Sequence, residues 1–288
     1  MDSAPRRFFY DILNKLTILL FCSVLLLLNS CASIDGIVNA EKLSSGAQMI
    51  RHDVTTDMFT LTTFSRITNP DLPLHVYIEG DGRAWIDRSQ VSTDPTPLKA
   101  IGLALAAADD WPNVVYIARP CQFRDLSKEQ CSSSCYWTNK RFSREVIVAT
   151  GQALDYFVRQ VNVKSLELIG YSGGGAIAVL LAAERNDVIS LRTVAGNLDH
   201  DAVNQYHGVS QMPESLNPIN VAEKLKWLPQ RHFVGANDKI VPSFITEKFI
   251  QKSGSICSDV TYVKSTSHET GWVGRWHALI KLPLRCKP

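Results

Sequence analysis

Gly170-Tyr171-Ser172-Gly173-Gly174 stands where an apolar run, Ser165-Leu166-Glu167-Leu168-Ile169, meets an Ala/Leu-rich one from Gly173 to Glu184. The first run is short enough for a strand and the second long enough for a helix, so the pentapeptide reads as a sharp strand-to-helix turn. A serine at such an apex is held in a strained backbone conformation, and its neighbours two positions away must be small. Gly170 and Gly174 meet that demand, and Gly173 and Gly175 relieve the turn further. The turn lifts the Ser172 hydroxyl above the strand end and leaves the next N–H, that of Gly173, pointing toward it.

Outward from this turn the same alternation continues in both directions. Upstream, Leu74-His75-Val76-Tyr77-Ile78 is a short strand ending in the turn-former cluster Glu79-Gly80-Asp81-Gly82. Leu98–Ala108 predicts a helix and Val114–Ala118 a strand, and Ser143–Val161 an amphipathic helix opened by a Ser N-cap. Downstream come Leu191–Ala195 (strand), Val221–Leu228 (helix), His232–Val234 (strand), Ser243–Lys252 (helix), Val260–Val263 (strand) and Arg275–Lys281 (helix). Met58–Ile67 alternates and supplies an antiparallel edge hairpin with the stretch before it. Strands alternating with helices call for an α/β fold, a mostly parallel central sheet with helices on both faces. With no internal repeat, residues 51–288 read as a single domain, preceded by an N-terminal tether over 31–50 that includes a polar linker around Glu41–Gly46.

The balance of 30 basic against 28 acidic side chains, net +2, gives no electrostatic bias and argues against a nucleic-acid partner. A hydrophobic share of 45% excludes wholesale disorder. The first thirty residues read as an address. Arg6, Arg7 and Lys15 precede the apolar run Leu16–Leu28, followed by Asn29, Ser30 and Cys31. That is the layout of a secretory signal peptide, and the run is short of the roughly 20 apolar residues a spanning helix needs. An N-terminal anchor helix, or a cut near Ala32, remains an alternative. Leu28-Asn29-Ser30-Cys31 resembles the lipobox of bacterial lipoproteins, which implies a lipid on Cys31 and a membrane partner through it. With Ala32 next, the resemblance implies the bacterial envelope, at the outer membrane facing the periplasm.

An exported chain meets an oxidising compartment, so disulfides are expected among Cys121, Cys131, Cys135, Cys257 and Cys286. Cys257 and Cys286 flank the last elements as a staple, and Cys121 closes a loop with Cys131 or Cys135, leaving one thiol over. Cys131-x3-Cys135 lacks the second pair that a zinc site requires, so no metal is expected.

A serine hydroxyl needs an imidazole to take its proton and a carboxylate to orient that imidazole. His268, after strand Val260–Val263, and Asp238, after strand His232–Val234, are placed for those roles. Asp199 and Asp201 are alternative acids, and Asp238 has a plainer reading as an Asx turn or helix cap. His277 reads as a packing residue, and His52, His75, His200, His207 and His232 as surface or satisfied core histidines. An oxyanion needs two donors. The Gly173 N–H is one and the Asp81 N–H the other, although the Asp81 side chain has an alternative role in shaping its loop.

Together these segments resemble the α/β-hydrolases, and more narrowly the serine hydrolases that bacteria export as lipoproteins. The resemblance runs from about Leu74 to the C-terminus. It rests on Ile78-Glu79-Gly80-Asp81-Gly82, Gly170–Gly175, Gly235-Ala236-Asn237-Asp238 and Ser267-His268-Glu269-Thr270-Gly271-Trp272. It implies hydrolysis of a small-molecule carboxylic ester through an acyl-enzyme on Ser172, with no cofactor. A serine peptidase acting on small peptides, or an envelope-anchored binding protein without turnover, are the alternatives. Asn197–Asn220, with Tyr206, His207, Met212, Pro213 and Leu216, is expected as a short covering loop. The Cys121–Cys135 region, with Phe123, Tyr136 and Trp137, is expected as a second wall, unless those aromatics merely pack the loop.

Overall fold

The computed structural model describes residues 35–126 and 130–286. The leader at 1–30 and Cys31 lie outside the described residues. The polar linker expected around Glu41–Gly46 is instead the end of a helix, α1, over residues 35–46. Its buried or half-buried positions Gly36, Ile37, Ala40, Glu41, Leu43 and Ser44 recur at helical spacing, with polar residues among and between them hiding the period.

The strands are β1 (Ile50–Thr55), β2 (Thr60–Ile67), β3 (Leu74–Ile78), β4 (Asn113–Ile117), β5 (Leu166–Tyr171), β6 (Val188–Val194), β7 (Gln230–Gly235) and β8 (Ser258–Val263). They form one sheet in the order β1-β2-β4-β3-β5-β6-β7-β8. The hairpin β1-β2 is antiparallel and joins β4 antiparallel, while β4-β3-β5-β6-β7-β8 are parallel throughout. The helices between them are α2 (Ile101–Ala107), α3 (Arg144–Val161), α4 (Gly173–Ala182), α5 (His200–His207), α6 (Ser243–Ser253) and α7 (Val273–Leu279).

Strand residues divide by parity between two buried layers. Leu74, Val76, Ile78, Val115, Ile117, Leu166 and Leu168 join the layer packed by α3, α4 and α6. Tyr77, Val114, Tyr116, Ile169 and Tyr171 join the layer packed by α1, α2 and α7. Every residue of β3 and β4 is buried, as expected of strands covered on both faces.

Three local expectations need correction. Val221–Leu228 is not an α-helix; a 3₁₀ segment, Pro218–Leu225, runs there. Pro218 opens it and Pro229 disfavours helical backbone just beyond, so too few residues remain for α-helix to compete. Ser143 stands at the N-cap of α3, yet its side chain makes no capping bond. His277 is exposed near Asp110 and Lys281, and its neighbour Trp276 fills the core. Among the described residues no helix is long and apolar enough to cross a membrane.

Candidate active site

β5 delivers Tyr171 to the sheet's carboxyl edge, where Ser172 takes φ 50° and ψ −118° before α4 begins. For a residue with a Cβ this is a costly backbone region, held here by its surroundings. A Cβ on Gly170 would collide with the Gly174 main chain, and one on Gly174 with the Ile78 carbonyl. Only glycine lets the helix start this close to β3 and β5.

The loops after β7 and β8 bring two more side chains to the same edge. His268 Nε2 lies 2.9 Å from Ser172 Oγ. His268 Nδ1 lies 2.9 Å from Asp238 Oδ2. The other carboxylate oxygen of Asp238 accepts the N–H groups of Ile240 (2.8 Å) and Val241 (2.9 Å), so the plainer turn reading and the partnership with His268 hold together. The Asp238 side chain is fully shielded, while that of His268 keeps 12% of its surface exposed. A shielded carboxylate at Nδ1 fixes the tautomer that leaves Nε2 free to accept the serine proton.

Sequence reasoning missed what holds the histidine. The His268 carbonyl accepts Trp272 Nε1–H at 2.8 Å and Tyr171 O–H at 3.1 Å. Burial, then the nearby carboxylates led by Glu79, push the Tyr171 phenol far above its ordinary range, so it stays a donor. Trp272 stood within the quoted His268 segment, but nothing in its spacing marked it as a brace.

The loop after β3 is fixed by two carboxylates. Glu79 is buried and accepts Gly80 N–H (2.9 Å) and Gly102 N–H (3.0 Å) on one oxygen. Its other oxygen accepts Leu103 N–H (3.2 Å) and Tyr116 O–H (3.0 Å). It therefore caps α2 from a distance in sequence, and burial raises its pKa despite those bonds. Asp81 is the second carboxylate. Its side chain lies against Gly173, and it pairs with Arg119 (3.1 Å) and Arg141 (3.2 Å). Both guanidiniums also lie over the Phe142 ring. Thus the Asp81 side chain does shape the loop. The Gly80 N–H is engaged by Glu79, whereas the Asp81 main-chain N–H makes no hydrogen bond among the described residues.

The alternative acids are occupied elsewhere. Asp199 caps α5 at Ala202 and pairs with Lys248 at 2.6 Å, while Asp201 contacts His200. His75 is buried on Asp109, and burial pushes buried His232 down to about 3. Cys121–Cys131 and Cys257–Cys286 are disulfides, with Cys135 the free thiol among the described residues. Among the described residues no cluster of three or more His, Cys, Asp or Glu side chains is arranged to hold a metal ion.

Ser172 and His268 open onto a cleft of about 760 Å³, whose walls differ from those expected. Its lining comes chiefly from residues 79–86 and 97–101, with Arg141, Tyr171, Ile240 and Glu269 contributing to the rest. The stretch Asn197–Asn220 does not line it, because it folds into α5 and sends Met212 into the core. Phe123 and Trp137 are buried in the packing, and Tyr136 stacks edge-on against Phe59 at 4.8 Å. Those aromatics pack their loop.

No protein-family model matches the sequence, and no curated protein does. Solved structures do. Est1E from Butyrivibrio proteoclasticus superposes with a TM-score of 0.56 at 12% identity, covering 81% of this chain and 97% of its own. The chain has the α/β-hydrolase fold. An α/β serine hydrolase homologue from Coxiella burnetii gives 0.52 at 15% identity, covering 80% and 93% of the two chains. An acylaminoacyl peptidase from Pyrococcus horikoshii gives 0.53 at 13% identity over 76% of this chain, which spans 37% of that longer one. In an α/β-hydrolase fold the carboxyl edge of the parallel strands is the ligand-binding edge. Ser172, Asp238 and His268 all stand there.

Proposed function

We propose that the protein is a serine hydrolase that cleaves carboxylic esters, held at a bacterial envelope membrane through its N-terminus. The observation that carries the first part is the continuous Ser172–His268–Asp238 relay at the mouth of an open cleft, with 2.9 Å at each step. Ser172 Oγ attacks the ester carbonyl carbon while His268 Nε2 takes its proton, and the carbonyl oxygen becomes an oxyanion. The N–H groups of Gly173 and Asp81 stabilise that charge. As the carbon–oxygen bond to the alcohol breaks, His268 returns the proton to the leaving oxygen. Water, deprotonated by His268, then splits the acyl-Ser172 ester, releasing the acid and restoring the serine. Asp238 stabilises the imidazolium in both halves.

A fluorophosphonate probe tests this reading. The wild-type chain labels, and both Ser172→Ala and His268→Ala fail to; a folded wild type that does not label overturns it in favour of a binding protein without turnover. Turnover of anilides in preference to esters would replace the esterase reading with a peptidase one. For the anchor, the carrying observation is the basic, apolar and Leu28-Asn29-Ser30-Cys31 succession of the leader. Metabolic labelling with an alkyne fatty acid, lost in Cys31→Ala, checks that Cys31 bears the lipid.

A further inference from the structure

α1 runs opposite to the parallel strands. Just past its end, the Ala47 carbonyl accepts from Arg66 Nη1 at 2.9 Å, and Arg66 pairs with Val114 at the start of β4. The helix therefore finishes at the edge where the parallel strands begin. Its twelve residues rise about 18 Å, enough to cross the layer. Its first turn emerges at the other edge: a Cβ on Gly36 would lie 2.9 Å from the Pro97 carbonyl and 3.0 Å from Thr96 Cγ2. Pro97, Leu98 and Lys99 are part of the cleft lining. The chain thus enters the domain beside the mouth of the cleft.

The distance to the leader is short. Gly36 is five residues beyond Cys31 and eight beyond Leu28. Even fully extended, those stretches reach at most about 18 and 29 Å. A domain of this length is about 36 Å across when measured as twice its radius of gyration. Whether the anchor is a lipid on Cys31 or an apolar helix ending at Leu28, the edge carrying Gly36 is kept nearest the membrane.

That edge has the character of an interfacial surface. Trp85, Ile86, Leu98 and Ile240 surround the mouth at 43%, 38%, 45% and 54% exposure. Arg83 and Lys99 stand among them and form no ion pair among the described residues; of the three carboxylates in the lining, Glu79 is engaged by main-chain N–H groups and Tyr116, Asp81 is paired with Arg119 and Arg141, and Glu269 is left facing them. Apolar and indole groups with unpaired cations suit the headgroup region of an anionic bilayer. The rim is also braced beforehand. Trp137 Nε1–H donates to the Ser92 carbonyl at 3.0 Å, Phe123 N–H donates to Thr96 Oγ1 at 2.8 Å, and the Cys121–Cys131 disulfide packs with Ala84.

We infer that the mouth of the cleft docks on the bilayer that holds the N-terminus, and that the hydrolase takes its substrate from that bilayer, an acyl lipid whose ester lies at headgroup depth. This rests on the proposed ester hydrolysis and membrane anchoring. Another exposed apolar pair, Trp227 and Ile256, precedes β7 and β8 and so occupies the opposite edge. It faces away from the membrane and serves as the internal control.

The test uses the full chain in vesicles of phosphatidylethanolamine and phosphatidylglycerol, with a benzophenone side chain placed by Leu98→benzoylphenylalanine or Ile256→benzoylphenylalanine. Illumination is expected to give at least about tenfold more lipid adduct from position 98 than from position 256. Equal or reversed yields in chains that float with the vesicles overturn the docking and leave the anchor standing. Chains that do not float overturn the anchor and the docking with it. Fluorophosphonate labelling of the same samples reads the hydrolase separately. Hydrogen exchange on the unmodified chain gives a second measurement. Amides in 83–99 should slow between detergent and vesicles, those in 226–228 and 255–257 should not, and the absence of that contrast overturns the docking.

Discussion

Two histidine–aspartate pairs in this molecule have nearly the same geometry and opposite fates. His268 Nδ1 meets Asp238 at 2.9 Å, and His75 Nδ1 meets Asp109 at 2.7 Å. The first stands on loops at the carboxyl edge, with its other nitrogen on Ser172. The second starts from within β3, is stacked at 4.7 Å on Trp111, and shares Asp109 with the Tyr77 hydroxyl, which in turn accepts Trp276 Nε1–H. A hydrogen-bonded imidazole–carboxylate pair is therefore not by itself a site. What separates the two is the nucleophile at Nε2 and the access that a strand end gives and a strand interior denies. His232 is a third case, buried on Thr193 Oγ1 at 2.8 Å without a carboxylate.

The comparison breaks most visibly under paired substitutions. Ser172→Ala or His268→Ala should cut ester turnover by about 10⁴–10⁶-fold, and Asp238→Asn by about 10⁴-fold, with thermal unfolding little changed. Asp109→Asn should leave kcat per folded molecule intact while lowering stability by about 1–3 kcal/mol in denaturant titration, because His75, Tyr77 and Trp111 lose an ionised acceptor. Turnover falling alongside stability in that variant would erase the distinction drawn between the pairs.

The third histidine predicts a pH effect. Burial holds His232 neutral in the fold down to about 3, whereas the unfolded chain protonates it near its ordinary value of about 6.5. Its contribution is present above about 6.5 and is lost as pH falls toward 3, at up to about 1.4 kcal/mol per pH unit. Unfolding free energies measured across that window should fall less steeply in His232→Gln; an unchanged slope would remove His232 as the source. The smallest effect is expected at the brace on His268. Tyr171→Phe removes one of two donors to its carbonyl, so a transition-state cost of about 0.5–1.5 kcal/mol, read as a few-fold drop in kcat, is expected.

The elbow was legible because its requirements are local: a strand, four glycines about a serine, and a helix, all within twenty residues. The disulfide staple between Cys257 and Cys286 was readable from the flanking positions, whereas the partner of Cys121 was not, since Cys131 and Cys135 could each close the same loop. α1 was missed because polar residues interrupt its narrow buried face. The cleft walls were misplaced because exposure of an aromatic residue depends on the opposite wall. Phe123 and Trp137 found cores to enter, while Trp85 and Leu98 did not.

Sequence by itself determined the alternation that makes a parallel sheet, the turn at Ser172, and the order in which an acid and a histidine follow it. Those are properties of short segments, governed by backbone sterics and by the period of apolar residues. Tertiary structure alone decided that the alternative acids Asp199 and Asp201 are engaged away from His268, that Asp81 is clamped by Arg119 and Arg141, and that α1 enters beside the cleft. Each of those joins residues far apart in the chain. Such contacts depend on how layers close against one another, and no local pattern encodes that distance.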